Sequence, residues 1–337
     1  MKDLLNGAEI SRRNFLRNSL VGAGALMAAS SGFPVFAEDF PSKPINHIVP
    51  AKAGGGWDRS SRVLAEAWEP VLGQPVKFSF SPGASGQIGF GKIRAAKPDG
   101  YTTIMMTISM QAMVVKYGKP AADFNDIGFV GNVISDPDCV LIHKDSPWNN
   151  LDEFVDHVRN AKEPVTISAS HPIASNTFAA RVFLELIGGN AKIVPFDGGS
   201  AARKALAGKH VDACIAPFFS ASNLKEFIKG IGIFNTKNPA PHIWEMPPVN
   251  EVLDVTVPNF VEPFAFHIRR DVEKKYPDRY AKLVDTFKEA HFSKKAREKA
   301  ASIGMGDFMD YWSPSECEAF LKDFQSTLNK YGHLVTK

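Results

Sequence analysis

From Ile45 onward, short apolar runs alternate with amphipathic stretches. Residues 45–49 (Ile-Asn-His-Ile-Val) predict a strand. Residues 59–72 predict a helix carrying Val63, Ala67, Trp68 and Leu72 along one side, and residues 76–78 predict the next strand. A second helix is expected over residues 87–96 and a third strand over 102–106. Strands alternating with helices of this length predict parallel sheets joined by helical crossovers, the α/β class. The rhythm then restarts, with helices at 151–160, 177–187 and 201–207 and strands at 165–167, 193–194 and 213–215, which makes a second α/β unit. Beyond the proline-rich stretches 239–241 and 246–248 a strand at 264–268 leads into helices at 276–292, 294–303 and 314–331. Such a helical tail needs an apolar sheet face to cover. It is expected to return to the first unit, so that residues 38–138 and 260–337 form a discontinuous first lobe and 139–259 a second. The chain should cross between them near 133–140 and 260–264.

The N-terminal residues change the picture. A basic head, Ser11-Arg12-Arg13-Asn14-Phe15-Leu16-Arg17, runs into a weakly apolar Gly/Ala-rich middle and then Val35-Phe36-Ala37. The middle is well short of the ~20 apolar residues a bilayer span needs, and the order is that of a secretory signal. The paired arginines before Phe-Leu point to the twin-arginine type, used for proteins that fold before export. Residues 1–37 are therefore expected to be removed, and no cysteine near the cleavage site provides for a lipid anchor. A periplasmic location follows. The whole chain carries 39 Lys and Arg against 36 Asp and Glu. Residues 1–37 hold four of the former and two of the latter, which lowers the formal charge from +3 to +1. That near-neutral remainder has no basic stripe and argues against a nucleic-acid partner. Cys139, Cys214 and Cys317 are odd in number and form no C-x-x-C pair, so neither a zinc site nor a disulfide framework is expected. Burial of all three as small hydrophobes is favoured over a Cys139–Cys214 bridge.

Four turns carry the candidate chemistry. Gly54-Gly55-Gly56-Trp57-Asp58 follows the first strand and residues 81–89 follow the second, while residues 168–177 and 195–200 occupy the equivalent places in the second unit. One glycine-rich turn is only a tight connection. Four at the carboxyl ends of parallel strands, two per unit, line a cleft with amides and hydroxyls that favours an anion. The candidate ligand-binding residues are Gly55, Gly56, Trp57, Asp58, Ser85, Gly86, Ser109, Ser170, Ser175, Asn176, Asp197 and Gly198. Asp58 is also read as the N-cap of its helix and Trp57 as a wall of the pocket. His143 and His171 lack partners at metal-ligand spacing. The stretch from Gly83 to Gln87 lacks the second glycine of a nucleophile elbow, and Gly54-Gly55-Gly56 has no following G-K-[ST]. No catalytic residue, metal or cofactor is expected.

Taken together the motifs resemble the solute-binding proteins of tripartite tricarboxylate transporters. The resemblance rests on Ser42-Lys43-Pro44-Ile45 with Ile48-Val49-Pro50, Gly54-Gly55-Gly56 before Asp58-Arg59, and Leu72-Gly73-Gln74-Pro75-Val76. It continues through Pro82-Gly83-Ala84 with Gly86 and Ile88-Gly89, then Lys97-Pro98-Asp99-Gly100-Tyr101-Thr102. Val194-Pro195-Phe196 with Gly198-Gly199, Gly208 with Val211-Asp212, and Met246-Pro247-Pro248-Val249 complete it. It implies a two-lobed periplasmic binding protein of type II, with two parallel-type sheets flanked by helices and a ligand cleft between the lobes. It further implies a small organic carboxylate as ligand, of two or three carboxyl groups, and membrane permease subunits as partner. The Gly-Gly-Gly-Trp-Asp form resembles the citrate-type branch. A monomer with no enzymatic activity is expected. Three departures stand out: Asp197 where the family often has lysine, the altered loop 168–177, and Glu262-Pro263-Phe264 in place of an aromatic-glycine pattern. Lys52 or Lys204 is expected to offset Asp197 if it faces the cleft. A sensor adaptor for a signalling kinase, or a receptor for an aromatic or amino-acid-like carboxylate, are the alternatives. An enzyme or transcriptional effector is disfavoured by the export signal and by the lack of a base and nucleophile pair.

Overall fold

β1 (Ile45–Val49) buries four of its five residues, as a strand does only when flanked on both sides. It pairs in parallel with β2 (Val76–Phe80) and with β3 (Thr102–Thr107). The computed structural model describes residues 39–119 and 121–335. The export signal expected over residues 1–37 lies outside the described residues, and the elements below belong to the unit Lys43–Lys337.

The first crossover is α1 (Gly56–Leu72), which buries Val63, Leu64, Ala67, Trp68 and Leu72. It stops at Gly73, whose left-handed φ of 80° lets its amide close on the Glu69 carbonyl. α2 (Gln87–Ala95) links β2 to β3, and α3 (Ile108–Tyr117) follows with the Thr107 hydroxyl capping the Met110 amide. Then comes β4 (Ile127–His143), seventeen residues long. Its first part pairs antiparallel with β9 (Val261–Arg269), which also pairs with β3. From Asp138 onward it pairs instead with β7 (Ala213–Pro217) and β8 (Ile228–Ile233). β7 runs parallel to β5 (Val165–Ala169), and β5 to β6 (Ala191–Pro195). One long strand thus belongs to the sheets of both lobes, and the fold is the two-lobed α/β arrangement.

Second-lobe helices are α4 (Leu151–Asn160), α5 (Ser175–Ile187), α6 (Gly199–Ala207) and the short α7 (Phe218–Ser222) and α8 (Val249–Val252). After β9 come α9 (Asp271–Lys275), α10 (Pro277–Phe292), α11 (Lys294–Ser302) and α12 (Pro314–Tyr331). α12 starts on a capping box, Ser313 with Glu316, and a proline at its first turn. α10 covers the α1 side of the first sheet: Trp68 donates its indole N–H to Thr286 Oγ1 at 2.9 Å. Trp68, Phe266 and Phe287 meet edge-to-face at 5.3–5.8 Å between centroids. A buried aromatic of this kind contributes about 3–5 kcal/mol relative to alanine.

Two differences from the sequence pattern bear on the site. The sheets are parallel only in their outer strands, since β4, β8 and β9 run antiparallel to their neighbours. Helices α1, α5 and α6 each begin two or three residues before their apolar periodicity does, at Gly56, Ser175 and Gly199. Those first turns, Gly56-Trp57-Asp58, Ser175-Asn176-Thr177 and Gly199-Ser200-Ala201, carry no apolar rhythm of their own.

Candidate functional site

Two of the four turns reach the seam where β4 and β9 pass between the lobes, the first through Gly56 and the third through Ser175. Gly56 opens α1 so close to the second lobe that a Cβ there would lie 2.6 Å from Ser220 Oγ and 3.3 Å from Phe264 Cε2. Gly55 is less confined, its nearest neighbour being the Lys52 carbonyl at 3.5 Å. Trp57 is half-buried against the core, and its ring lies 4.0 Å from where a Gly86 Cβ would be. Asp58 does not cap α1, because the helix already starts at Gly56. Its carboxylate accepts from the Gly54 amide at 2.8 Å and pairs with Arg62 at 2.8 Å, which fixes the glycine turn from inside.

In the second turn four successive residues, Gly83, Ala84, Ser85 and Gly86, have φ of 113°, 47°, 55° and 82°. Left-handed backbone at Ala84 and Ser85 costs on the order of 1–3 kcal/mol each. Strained non-glycine backbone of this kind clusters at ligand clamps and active sites. In the second lobe Ser170 donates to Asn176 Oδ1 at 2.5 Å and Asn176 donates to the Ile215 carbonyl, so these two hold each other. Gly198 adopts φ of 102° as α6 begins.

Ser109 and Ser175, at the starts of α3 and α5, meet at the carboxylate of Glu262. Ser109 Oγ donates to Glu262 Oε2 at 2.5 Å, and Ser175 and Thr107 also bond it. Glu262 on β9 sits opposite Asp136 on β4, with Asp138 two residues further along. All three acids are at most 4% exposed. Asp136 accepts from the Phe219 and Ser220 amides at 2.7 and 3.1 Å and from Ser220 Oγ at 3.1 Å, closing the start of α7. Asp138 Oδ1 has no hydrogen-bond partner among the described residues.

Two guanidinium groups complete the seam. Arg59, on α1, lies over the Phe219 ring at 4.5 Å. Arg203, on α6, is 8% exposed. Among the described residues neither side chain has a hydrogen bond or ion pair, and Nε of each is buried without a partner. Both feel the charge of Asp136, and burial lowers the pKa of each, with their mutual repulsion adding to the effect at Arg203. Two unbonded guanidinium groups from opposite lobes, beside amide-rich helix starts, are groups of the kind that hold carboxylates.

Neither arginine was among the sequence candidates, yet each had a signal. Arg203 interrupts the buried face made by Ala202, Ala205 and Leu206. The acids Asp136, Asp138 and Glu262 likewise interrupt apolar strands. Lys52 and Lys204, expected to offset Asp197, are exposed. The Asp197 side chain is 78% exposed, with His171 at 3.7 Å. Asp197→Lys is therefore expected to leave the ratio of citrate to succinate affinities unchanged in titration calorimetry. A shifted ratio would return Asp197 to the cleft.

Buried acids also set a pH dependence. Burial pushes Asp136 up to about 7 against the hydrogen bonds and the Arg203 charge that favour its ionised form. Asp138 is raised by burial and by its negative neighbours Glu262 and Asp136, and Glu262 by burial despite its hydroxyl donors. A carboxyl whose pKa is raised on folding loses stability as pH climbs from its unfolded pKa to its folded one. Opposing this, burial lowers His47 and His267 to about 3 and His291 to about 4, so their contribution falls away below pH 6.5. Between roughly pH 4.5 and 6.5 the two sets offset each other, and above that range only the acids act. Unliganded stability is expected to fall by on the order of 1 kcal/mol from pH 6.5 to 8 in urea titrations, the span over which Asp136 gives up its proton. Equal midpoints at the two pH values would contradict these burial effects.

No three His, Cys, Asp or Glu residues converge as a metal-ligand set among the described residues. Cys139, Cys214 and Cys317 are buried free thiols. A groove of about 340 Å³ lined by Arg181, Leu184, Ala191, Ile193 and Leu334 lies away from the seam. Its Arg181 is already bonded to the Pro172 and Val335 carbonyls.

A sequence model described as "Tripartite tricarboxylate transporter family receptor" matches residues 60–337. Among curated proteins, a UPF0065 protein of Agrobacterium vitis is 29% identical over 182 residues, which are 52% of this chain and 52% of that protein. BugT of Bordetella pertussis is 27% identical over 205 residues, 58% of this chain and 62% of its own. The chain thus spans little more than half the length of curated relatives of this kind. The periplasmic binding protein BugD superposes with a TM-score of 0.73 at 22% identity, covering 87% of this chain and 99% of its own. MatC from Rhodopseudomonas palustris, with bound malate, gives 0.73 at 20% identity over 88% of this chain and all of its own. Another R. palustris protein, with adipate, gives 0.76 at 19% identity over 88% and 99%. At such identities the likeness is one of fold.

Proposed function

The chain belongs to the tripartite tricarboxylate transporter receptor family, and from that premise we propose that it is a periplasmic solute receptor, not a catalyst, which closes two lobes over a small organic carboxylate. Residues 1–37 direct export by the twin-arginine route, residues 43–138 and 260–335 make the first lobe, and 139–259 make the second. As a monomer it delivers its ligand to the membrane subunits of a secondary transporter.

The observation that carries this reading is the pair Arg59 and Arg203, buried at Nε, contributed by opposite lobes and left unbonded by the protein itself. A buried unpaired charge costs several kcal/mol, and a bound carboxylate that bridges both arginines offsets that cost while drawing the lobes together. The strained turn 83–86 and the polar starts of α1, α5 and α6 support the same ligand class. Malate in MatC and adipate in the second R. palustris protein support it by analogy of fold.

The test is a thermal-shift screen of the mature protein against mono-, di- and tricarboxylates, with and without hydroxyl, amino and aromatic groups. A cognate acid at 100 times its Kd adds about 2.7 kcal/mol of stability. If no acid in such a panel raises the melting temperature of the folded protein, the carboxylate reading is wrong.

A further inference from the structure

Five ionisable groups are buried together at the seam: Asp136 lies within electrostatic reach of Arg59, Arg203 and Asp138, and Glu262 sits opposite Asp136 and acts on Asp138. A receptor for a di- or tricarboxylate should present positive or neutral groups throughout, yet this chain buries three acids at the seam. No Lys or Arg forms an ion pair with Asp138 or Glu262 among the described residues. Asp138 is 1% exposed and its Oδ1 has no donor, so a buried acceptor is left open there just as a buried donor is left open on Arg203.

Glu262 has a further effect. Its carboxylate occupies the niche formed by the Thr107, Ser109 and Ser175 hydroxyls at the starts of α3 and α5, which is where hydroxyl and helix-end donors would otherwise meet a second carboxyl group of a ligand. The protein has filled that anion niche with a side chain of its own. What is left open beside Glu262 is the buried Asp138 Oδ1, an acceptor that calls for a hydrogen-bond donor. A metal ion does not meet the description, since among the described residues no set of three ligating side chains converges there.

We infer that the solute is an ammonium-bearing carboxylate, its carboxylate lying between Arg59 and Arg203 and its ammonium group against Asp138 and Glu262. This rests on the carboxylate-receptor reading and narrows it to amino-acid-like ligands. It also gives the departure at Glu262-Pro263-Phe264 a role: the glutamate turns an anion subsite into a cation subsite.

The experiment pairs probes that differ at one end. Calorimetry of the mature protein compares 4-aminobutyrate with succinate, 5-aminopentanoate with glutarate, and the common α-amino acids with their dicarboxylate counterparts. The inference expects at least one amino acid to bind about tenfold or more tightly than its dicarboxylate partner, as charge complementarity requires. Glu262→Gln and Asp138→Asn, each first checked for an unliganded melting temperature near that of the parent, should shrink or reverse that ratio. Succinate or glutarate binding more tightly than the amino acids, with a ratio that Glu262→Gln leaves unchanged, would overturn the inference and leave the carboxylate reading standing. Binding of none of these probes, nor of any acid in the wider panel, would overturn both.

Discussion

Arg203→Met should abolish ligand-induced stabilisation while leaving the unliganded protein as stable as the parent or more so. Truncating one member of a buried, hydrogen-bonded charge pair at an interface costs about 2–5 kcal/mol of binding, roughly 30-fold to several thousand-fold in Kd. The same substitution removes from the unliganded protein a guanidinium that is 8% exposed and has no bonded partner. Methionine fills a similar volume with an adaptable apolar chain. Replacing buried ionic groups by packed apolar ones is often neutral or stabilising by 1–4 kcal/mol. The opposite signs are what make the variant informative. Were Arg203 a structural partner of Asp136, its loss would leave that carboxylate uncompensated and cost about 3–5 kcal/mol of stability. A large drop in the urea midpoint with binding retained would therefore assign Arg203 to the scaffold. A midpoint held or raised with binding lost assigns it to the ligand.

Much of this architecture is legible in the sequence, and the misses have physical causes. β1 and α4 follow the pattern residue for residue, β1 as a short apolar run buried on both faces and α4 as a helix with one buried face. α3 escapes notice because Ile108 to Val115 are buried all round, which leaves no amphipathic rhythm to read. β4 is missed as a single element because it serves two sheets and carries Asp136 and Asp138 inside an otherwise apolar run. The glycine turns can be located from spacing, but which of their atoms meet across the seam depends on how the lobes close. Ser109 and Ser175 are 66 residues apart in number, and their meeting at Glu262 is a tertiary fact. Arg59 and Arg203 could have been suspected as charges on faces that bury their neighbours. Their lack of partners could not, because satisfaction of a buried polar group depends on everything packed around it.

Gly55 and Gly56 are adjacent and identical in sequence, yet substitution should separate them sharply. A Cβ on Gly55 would make ordinary contact with the Lys52 carbonyl at 3.5 Å. Gly55→Ala is thus expected to change stability by no more than about 0.5 kcal/mol. A Cβ on Gly56 would sit 2.6 Å from Ser220 Oγ, which itself donates to Asp136 at 3.1 Å, and 3.3 Å from the Phe264 ring. Gly56→Val cannot be accommodated while α1 and α7 remain in contact. Because the severe clash, with Ser220, lies between lobes, the protein can relieve it by parting the seam, so the unliganded fold should survive. Parting the seam carries Arg59, three residues on, away from Phe219 and from the Arg203 side, and a carboxylate can then bridge only one guanidinium. We expect Gly56→Val to weaken binding about 10- to 100-fold, the loss of one charge-assisted contact of 1.5–3 kcal/mol, with a melting temperature near that of the parent in the absence of ligand. Small-angle scattering should show a larger radius for the ligand-saturated variant than for the ligand-saturated parent. Parental affinity in a folded Gly56→Val protein would mean that the ligand is held without closure of this seam, and the site would have to be sought in one lobe alone.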